Sequence, residues 1–443
     1  SLALVKSKGP IKAGDKITFK ATVKNTGTQP LYRVFGTTEC ENPFFKNLEF
    51  VFGYLEPGAS RSWEVDVKLP RGISSRLDGV TLSIANQENS LSDVVATALV
   101  NIKQELKPRF AISYQVDDSS SGNGDGLLQV GEEVGLRVQV TNLGEGPASE
   151  VMLTAKNITG PELFLGVGRA QLEGIGKGSA KQGMLQFMLR EPVDKVKLRI
   201  NVWDTELGAS FADEIEVPVL KAVGGSKKRK TIRIRSGAKV PVYSGVSSDS
   251  PIIAYAKPGV ALRSDMVFSN GWRRVRLEKL VLTGGEKGKK KKEPAKWIFG
   301  YVQGFDSVVL KKRRKPTRRG FTMNAGQAAP FVDLLDVGLH VKGESVRLKG
   351  VVGDESGLKD LYVFVNDAKV HYQPLSLGER EQNENGHFVV PLDIQLPLEA
   401  GSNTVNIVVR ENETLVSRKS IGFYRGKMNV ASNDIPVEKP ALP

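Results

Sequence analysis

The chain has few of the residue types from which most catalytic and metal centres are built. Its 443 residues include one cysteine, Cys40, and three histidines, His340, His371 and His387. A lone cysteine excludes an internal disulfide. The histidines all fall in one part of the chain, without the spacing of a zinc site or a catalytic triad, and we find no phosphate-binding loop. We therefore predict no catalytic residue, and no cofactor other than the calcium ion considered below.

Long apolar runs and helical periodicity are also missing. No stretch approaches the roughly 18–20 continuous apolar residues of a membrane helix, and no long stretch repeats with the period of about 3.6 residues of an amphipathic helix. The chain begins at Ser1, without a charged and then apolar leader region. We expect a processed mature chain or a fragment of a longer protein, built from strands.

What the chain does contain is an internal repeat with an offset of 117 residues. Gly14-Asp15 precedes Asn25-Thr26-Gly27 by the same distance as Gly131-Glu132 precedes Asn142-Leu143-Gly144. Apolar and polar residues alternate in between, as in a half-buried strand, and Asn-x-Gly favours a turn. The gapless alignment pairs Ile17 with Val134, Phe19 with Leu136, Ala21 with Val138, Val23 with Val140 and Leu55 with Leu172. The sequence therefore predicts two copies of one β-sandwich.

Short strands separated by turn residues continue along the rest of the chain. We predict an all-β protein of tandem immunoglobulin-like β-sandwiches, with a small SH3-like barrel between the second and the last. The predicted domains are a first segment (1–104), a second segment that repeats it (109–220), a third segment that forms the barrel and carries a Lys-rich loop (230–312), and a fourth segment (331–425). Residues 221–229 are predicted to be a flexible basic linker, and residues 428–443 a loose tail.

The positive charge is concentrated in and around the third segment. The whole chain has a net charge of +14, and residues 222–321 contain 26 lysines and arginines against six acidic residues. The candidate polyanion-binding residues are Lys289, Lys290, Lys291, Lys292, Lys311, Lys312, Arg313 and Arg314. These runs are typical of a hydrated loop or linker, of a contact with an anionic envelope surface, or of a nucleic-acid contact. Nucleic acid is the least favoured, because stacking aromatics within the runs and a reading helix are missing.

One stretch has the spacing of a calcium-binding loop, with candidate ligands Ser121, Asn123, Asp125 and Glu132. Gly126 falls where such a loop turns sharply, but Ser121 stands where aspartate is usual, and a strand follows instead of a helix. Asp117 or Asp118 could supply the missing charge. The alternative is a glycine-rich turn that leads into the strand.

Aromatic residues cluster in the third segment beside glycine turns. About half of them must fill a barrel core, and others could line a groove that binds an extended peptide or the cell wall. The candidate ligand-binding residues are Tyr243, Tyr255, Trp272, Trp297, Phe299 and Tyr301.

Three passages carry a resemblance to a known family. They are Gly122–Gly126 followed by Gly131-Glu132, Gly271–Val275, and Leu348–Gly350 followed by Leu361–Tyr372. Together they resemble the C-terminal, non-catalytic region of PDZ-containing serine peptidases of the carboxy-terminal processing (tail-specific) family, in myxobacteria and related predatory bacteria. The resemblance implies a periplasmic location and a peptidase domain N-terminal to this chain.

The chain differs from that family in its catalytic residues. The family uses a serine nucleophile activated by a lysine in an α/β core, and no such core is found here. Our first hypothesis is therefore a non-catalytic binding and scaffolding array that positions a periplasmic peptidase, or its substrates, at the cell envelope. The alternatives are a structural or adhesion protein of the envelope, and a polyanion or nucleic-acid binder that uses the basic third segment.

Overall fold

The computed structural model describes most of the chain and shows a protein made of strands. The described residues are 1–5, 10–86, 94–118, 122–235, 237–280, 296–311, 315–317, 320–375, 381–382 and 387–426, with the backbone alone at 278–280, 296–297 and 381. Within these ranges the chain forms 34 strands, two 3-10 turns (Pro43–Phe45 and Gly304–Asp306) and no α-helix. The described chain has no helix that could span a membrane. The all-β prediction is confirmed.

The first and second segments each fold as two facing sheets. The first contains β1 (Leu2–Val5), β2 (Ile11–Lys12), β3 (Lys16–Lys24), β4 (Leu31–Glu39), β5 (Glu49–Leu55), β6 (Ser60–Lys68), β7 (Arg76–Ala85) and β8 (Val95–Lys103). The second contains β9 (Phe110–Asp117), β10 (Glu133–Asn142), β11 (Ala148–Asn157), β12 (Leu163–Val167), β13 (Arg169–Ile175), β14 (Ala180–Leu189), β15 (Lys195–Asp204) and β16 (Ser210–Pro218). The order β1-β3-β6 recurs as β9-β10-β14, and β5-β4-β7-β8 recurs as β13-β11-β15-β16.

The repeat extends to the register of the hydrogen-bonded strands. Phe19 lies opposite Val65, and Leu136 lies opposite Leu185, so equivalent residues face equivalent partners. Phe19, Leu136 and Leu185 are fully buried, because alternate residues of a strand point into the same core. The two sandwiches therefore bury the same face of the repeat.

One predicted equivalence of the repeat is wrong. Asn25 donates a side-chain hydrogen bond to the carbonyl oxygen of Leu55, and Asn142 donates the same bond to Ile175. Leu55 therefore corresponds to Ile175 and not to Leu172. The gapless alignment fails beyond β4 because the second copy has three more residues between these strands, with β12 formed in the longer connection.

The third segment forms one eight-stranded sheet, whose strands run from residue 225 to residue 323 and so extend beyond the predicted 230–312 at both ends. Its strands are β17 (Gly225–Ile234), β18 (Val240–Tyr243), β19 (Ile252–Ala256), β20 (Ala261–Phe268), β21 (Arg273–Leu280), β22 (Lys296–Val302), β23 (Ser307–Val309) and β24 (Phe321–Met323). The order is β23-β17-β20-β21-β22-β18-β19-β24, and in the described residues the two terminal strands are not paired with each other. A closed barrel is thus not formed there, and the SH3-like class stays a prediction.

The predicted linker at 221–229 is wrong in its second half. Strand β17 begins at Gly225 and pairs with β20 along its length, with a bulge between Lys227 and Lys230. The composition suggested a linker because Gly-Gly-Ser precedes a charge run. Strand β23 pairs only with Ile232–Ile234 of β17, so the first part of β17 has one unpaired side. Such an uncovered stretch also accommodates lysines, since its side chains and one row of backbone groups face water.

The fourth segment is again built from two sheets. Its strands are β26 (Phe331–Leu334), β27 (His340–Val341), β28 (Ser345–Asp354), β29 (Asp360–Val365), β30 (Ala368–Pro374), β31 (Glu381–Gln382), β32 (Phe388–Pro397), β33 (Gly401–Arg410) and β34 (Val416–Arg425). Before them, β25 (Gln327–Ala328) pairs with β9 of the second segment. The predicted tail, residues 428–443, lies outside the described residues.

The first and fourth segments share one sheet. Strand β34 lies parallel to β7, where Gly422 faces Arg76 and its N–H donates to the carbonyl oxygen of Ser75. The result is a ten-stranded sheet that includes β2-β8-β7-β34-β33-β29-β30, with β4 beside β7, β5 beside β4, and β27 beside β34. Gly79 is needed here, because a Cβ at this position would lie 2.4 Å from the ring of Tyr424.

Candidate functional site

Several of the candidate residues, among them Asp125, Trp272 and Tyr301, meet where the second segment contacts the third. The loop between β9 and β10 turns around the buried carboxylate of Asp118. Its Oδ2 accepts the backbone N–H groups of Gly124 (2.8 Å) and Asp125 (2.9 Å), and its Oδ1 accepts that of Gly126 (3.3 Å). Three backbone donors therefore satisfy this carboxylate, which gives the loop its shape.

A second buried carboxylate ties the loop to the third segment. Asp125, which is fully buried, accepts the N–H of Leu127 on Oδ1 at 2.9 Å. Its Oδ2 accepts the N–H of Val223 at 2.8 Å and the side-chain amide of Asn123 at 2.9 Å. Val223 lies two residues before β17, so the Asp125 side chain fixes the chain between the second sandwich and that strand.

The predicted calcium ligands are only partly brought together. Ser121 lies outside the described residues, and Asn123 and Asp125 bond to each other and to the backbone. Oε2 of Glu132 is buried and has no hydrogen-bond partner among the described residues. Among all the described residues, no three acidic, histidine or cysteine side chains have the arrangement of a metal centre. The calcium site remains a prediction.

The loop concentrates negative charge away from water. Burial, together with the charge of Asp125, raises the pKa of Asp118 to about 6. Burial, followed by the charges of Asp118 and Asp125, raises the pKa of Glu132 to about 7. Both carboxyl groups therefore exchange protons at a higher pH than ordinary carboxyl groups do.

The candidate aromatics do not form one exposed groove. Trp272 and Tyr301 are buried with Leu127 of the acidic loop, and Tyr243 meets the Trp272 ring edge-on at 5.2 Å. The Tyr301 hydroxyl donates to the carbonyl oxygen of Gly124 at 2.8 Å. These three rings are thus part of the contact between the second and third segments.

The remaining candidate aromatics lie elsewhere on the sheet. Tyr255 is at the surface, 36% exposed, and Phe299 is half-buried beneath the guanidinium of Arg274, which lies 4.3 Å from the ring centre. Only the backbone of Trp297 is described. A peptide groove built from all six rings is therefore not visible in the described structure.

The predicted basic runs are mostly outside the described residues. These are Lys289–Lys292 and Lys312–Arg314, while Lys311 is described and exposed. The structure adds a basic run that composition led us to read as a linker, the exposed residues Lys227–Lys230 of β17. A lysine run directly followed by the alternation of Thr231–Ile234 was the signal that could have identified this strand.

A cleft of ≈ 790 Å³ lies between the first and fourth segments. Leu99 and Leu335 supply apolar surface, and Lys103 and Lys419 supply amines. Burial lowers the pKa of Lys419. The cleft exists because β34 joins the sheet of the first segment, so its walls come from residues more than 300 positions apart.

Comparisons with known proteins give little further guidance. No protein-family profile and no curated protein matches the chain. Among solved structures, the chain is similar to a transglutaminase of red sea bream, with 12% identity and a TM-score of 0.19 over 50% of this chain. The similar part spans 31% of the transglutaminase chain. A likeness this weak carries no argument about function.

Proposed function

We propose that this chain is a non-catalytic scaffold that positions a periplasmic serine peptidase of the carboxy-terminal processing family, or its substrates, at the cell envelope. The peptidase and the periplasmic location come from the sequence resemblance. The scaffold role is supported by one structural observation, the ten-stranded sheet shared by the first and fourth segments. A linear string of independent modules would have no such sheet.

Further contacts lock the segments in one arrangement. Leu415, in the fourth segment, is buried in the core of the second. Arg109 of the second segment donates to the carbonyl oxygen of Ala329 and to Glu355, both at 2.9 Å. Buried apolar contacts and ion pairs across segment boundaries restrict hinge motion. A partner bound to one segment would therefore be held in a fixed orientation to the others.

The test is photo-crosslinking of the chain in the periplasm of the source organism, followed by mass spectrometry of the crosslinked protein. We expect a serine peptidase with a Ser–Lys α/β core. The Gly79→Val variant, which would collide with Tyr424, should lose the crosslink, whereas Gly224→Val, where nothing lies within 4 Å, should keep it. Peptide hydrolysis by the purified chain itself, or crosslinks to proteins without a peptidase core, would contradict the proposal.

A further inference from the structure

An apolar projection lies at one edge of the third segment. Phe305, in the turn before β23, is 65% exposed, the most of any large apolar side chain in the described residues. Val308 and Val309, in β23 itself, are 54% and 37% exposed. Single exposed apolar residues are common, but here three fall within five positions, one in the turn before a terminal strand and two in the strand itself.

Cations lie on the strands next to this projection and directly after it in the chain. Arg233 of β17 lies directly opposite Val308, and Arg263 of β20 lies opposite Thr231, on the same face as Arg233. Lys311 follows β23 and is exposed, as are Arg233 and Arg263. Within the described part of the third segment, the ion pairs are those that Arg274 and Arg276 form with Asp265, so none of these three cations is neutralised by one.

Acidic groups near the projection are few. Burial raises the pKa of Asp306, and the charge of nearby Arg235 opposes that rise. The backbone N–H of Arg235 donates to the carbonyl oxygen of Asp306. Farther along β17, Lys227–Lys230 are exposed and extend the positive surface. The projection therefore lies inside a positive field, with one carboxylate that already has a cation beside it.

Two ordinary explanations cover only part of this surface. Lysines and a bulge prevent edge-to-edge pairing where one side of a strand is uncovered, as it is in β17 before Ile232. This accounts for Lys227–Lys230 but not for an exposed phenylalanine and valines. Nucleic-acid binding would use the cations, but Phe305 is one exposed ring without a row of stacking partners. Aromatic and aliphatic side chains that protrude among cations fit a bilayer interface, where they enter the acyl boundary while the cations meet anionic headgroups.

We propose that the surface formed by Arg233, Arg263, Phe305, Val308 and Lys311, called here the Phe305 surface, docks on anionic phospholipid bilayers. The cations supply the long-range attraction, and Phe305 and Val308 supply the insertion. This inference goes beyond the scaffold role and does not depend on a peptidase partner. Failure to bind lipid would leave the crosslinking result unaffected, and failure to crosslink a peptidase would leave the lipid-binding result unaffected.

The test is sedimentation of the full chain with phosphatidylcholine vesicles that contain or lack phosphatidylglycerol. We expect binding to the anionic vesicles alone, weakening as salt rises. Changing Arg233, Arg263 and Lys311 together to Gln should weaken binding about 100-fold, at roughly 5-fold per cation. The control is the triple change of Lys24, Lys46 and Lys156 to Gln, which removes the same charge from exposed positions in the first and second segments and should weaken binding far less.

The apolar contribution has its own test. Phe305→Ser with Val308→Ser should weaken vesicle binding about 10-fold or more, since buried apolar area drives insertion. The control is Val51→Ser, at a residue 50% exposed in the first segment. In a Phe305→Trp variant, brominated lipids should quench the added fluorescence.

Other outcomes would overturn the proposal. These are equal binding to neutral vesicles, no binding to either vesicle, or no quenching. Preferential binding to double-stranded DNA that ignores the Phe305 and Val308 changes would assign the surface to nucleic acid instead. Self-association that is lost in the variant with Phe305→Ser and Val308→Ser would assign the surface to pairing of β23 between two copies of the chain.

Discussion

The first and second segments are two versions of one sandwich that differ where they meet the rest of the protein. In both, a buried asparagine closes the turn after the central strand, and the parallel contact of Ile11 with Ile102 recurs as that of Leu128 with Val219. The difference lies just before this contact. The second copy has ten residues, 118–127, between β9 and Leu128, whereas the first has five, 6–10, between β1 and Ile11.

The added residues explain why only the second copy carries the third segment in this way. Asp118 shapes the longer loop, Asp125 bonds to Val223, and Gly124 accepts the Tyr301 hydroxyl. The connection in the first copy has only five residues, 6–10, and none of them corresponds to these groups. The longer connection thus lets the second sandwich bind the third segment, while the two copies keep the same strand order.

The largest expected effect tests what the two copies share. Asn25 donates to the carbonyl oxygens of Gln29 and Leu55 and accepts the N–H of Gly27, and Asn142 makes the equivalent three bonds. Replacing either asparagine by Ala leaves buried backbone groups unpaired, so we expect each change to lower the free energy of unfolding by about 2–4 kcal/mol. Denaturant unfolding of the full chain measures this. If only one of the two changes lowered the free energy of unfolding, the two turns would not be equivalent.

The next effect tests what the copies do not share. Gly126 has a φ of +72°, and a Cβ there would lie 2.4 Å from the carbonyl oxygen of Ser244 and 2.7 Å from the Tyr301 ring. Gly126→Ala should therefore separate the second and third segments, at a cost of about 1–3 kcal/mol, and raise hydrogen exchange around Val246. Gly131→Ala is the matched control, since Gly131 has a φ of +81° with nothing within 4 Å. Equal exchange in both variants would show that backbone strain, and not the contact, matters.

The smallest effect is the dependence of stability on pH that Asp118 and Glu132 of the second copy contribute. Because Asp118 and Glu132 have pKa values raised to about 6 and about 7, the folded chain holds their protons at pH values where the unfolded chain has released them. Their ionisation therefore lowers stability as the pH rises from about 4 to about 7. Glu132→Gln should flatten part of this slope in thermal unfolding. Asp15→Asn, at the equivalent position of the first copy, should leave this slope unchanged. An unchanged slope in Glu132→Gln would contradict the attribution of the slope to Glu132.

Local pattern was sufficient to predict the central strand of each copy, β3 and β10, and the turn after it. The alternation at Phe19 and Leu136 reflects burial within one strand pair, and an Asn-x-Gly turn depends on neighbours close in sequence. The same reasoning failed at Leu55, because a gapless alignment cannot register residues added in a connection. It also failed at Lys227–Lys230, because charge density resembles a linker unless the pairing with β20 is known.

The candidate site was predicted as residue types but not as an arrangement. Asp125, Trp272 and Tyr301 were identified from the sequence, yet their roles as a calcium ligand and as groove residues were assigned without knowing their neighbours. The structure places all three at the contact between the second and third segments. Phe305 escaped notice because an isolated phenylalanine has no pattern, and its exposure depends on β23 ending the sheet.

The sequence by itself determined that this protein is made of strands and that one sandwich occurs twice, because side-chain alternation and turn residues act over a few positions. Only the tertiary structure decided that β34 joins β7 and that Leu415 packs in the core of the second segment. It also decided that the loop between β9 and β10 binds the third segment. Such contacts join residues up to several hundred positions apart. They depend on which strand edges and apolar faces remain unpaired once the local elements have formed, and no local pattern records that.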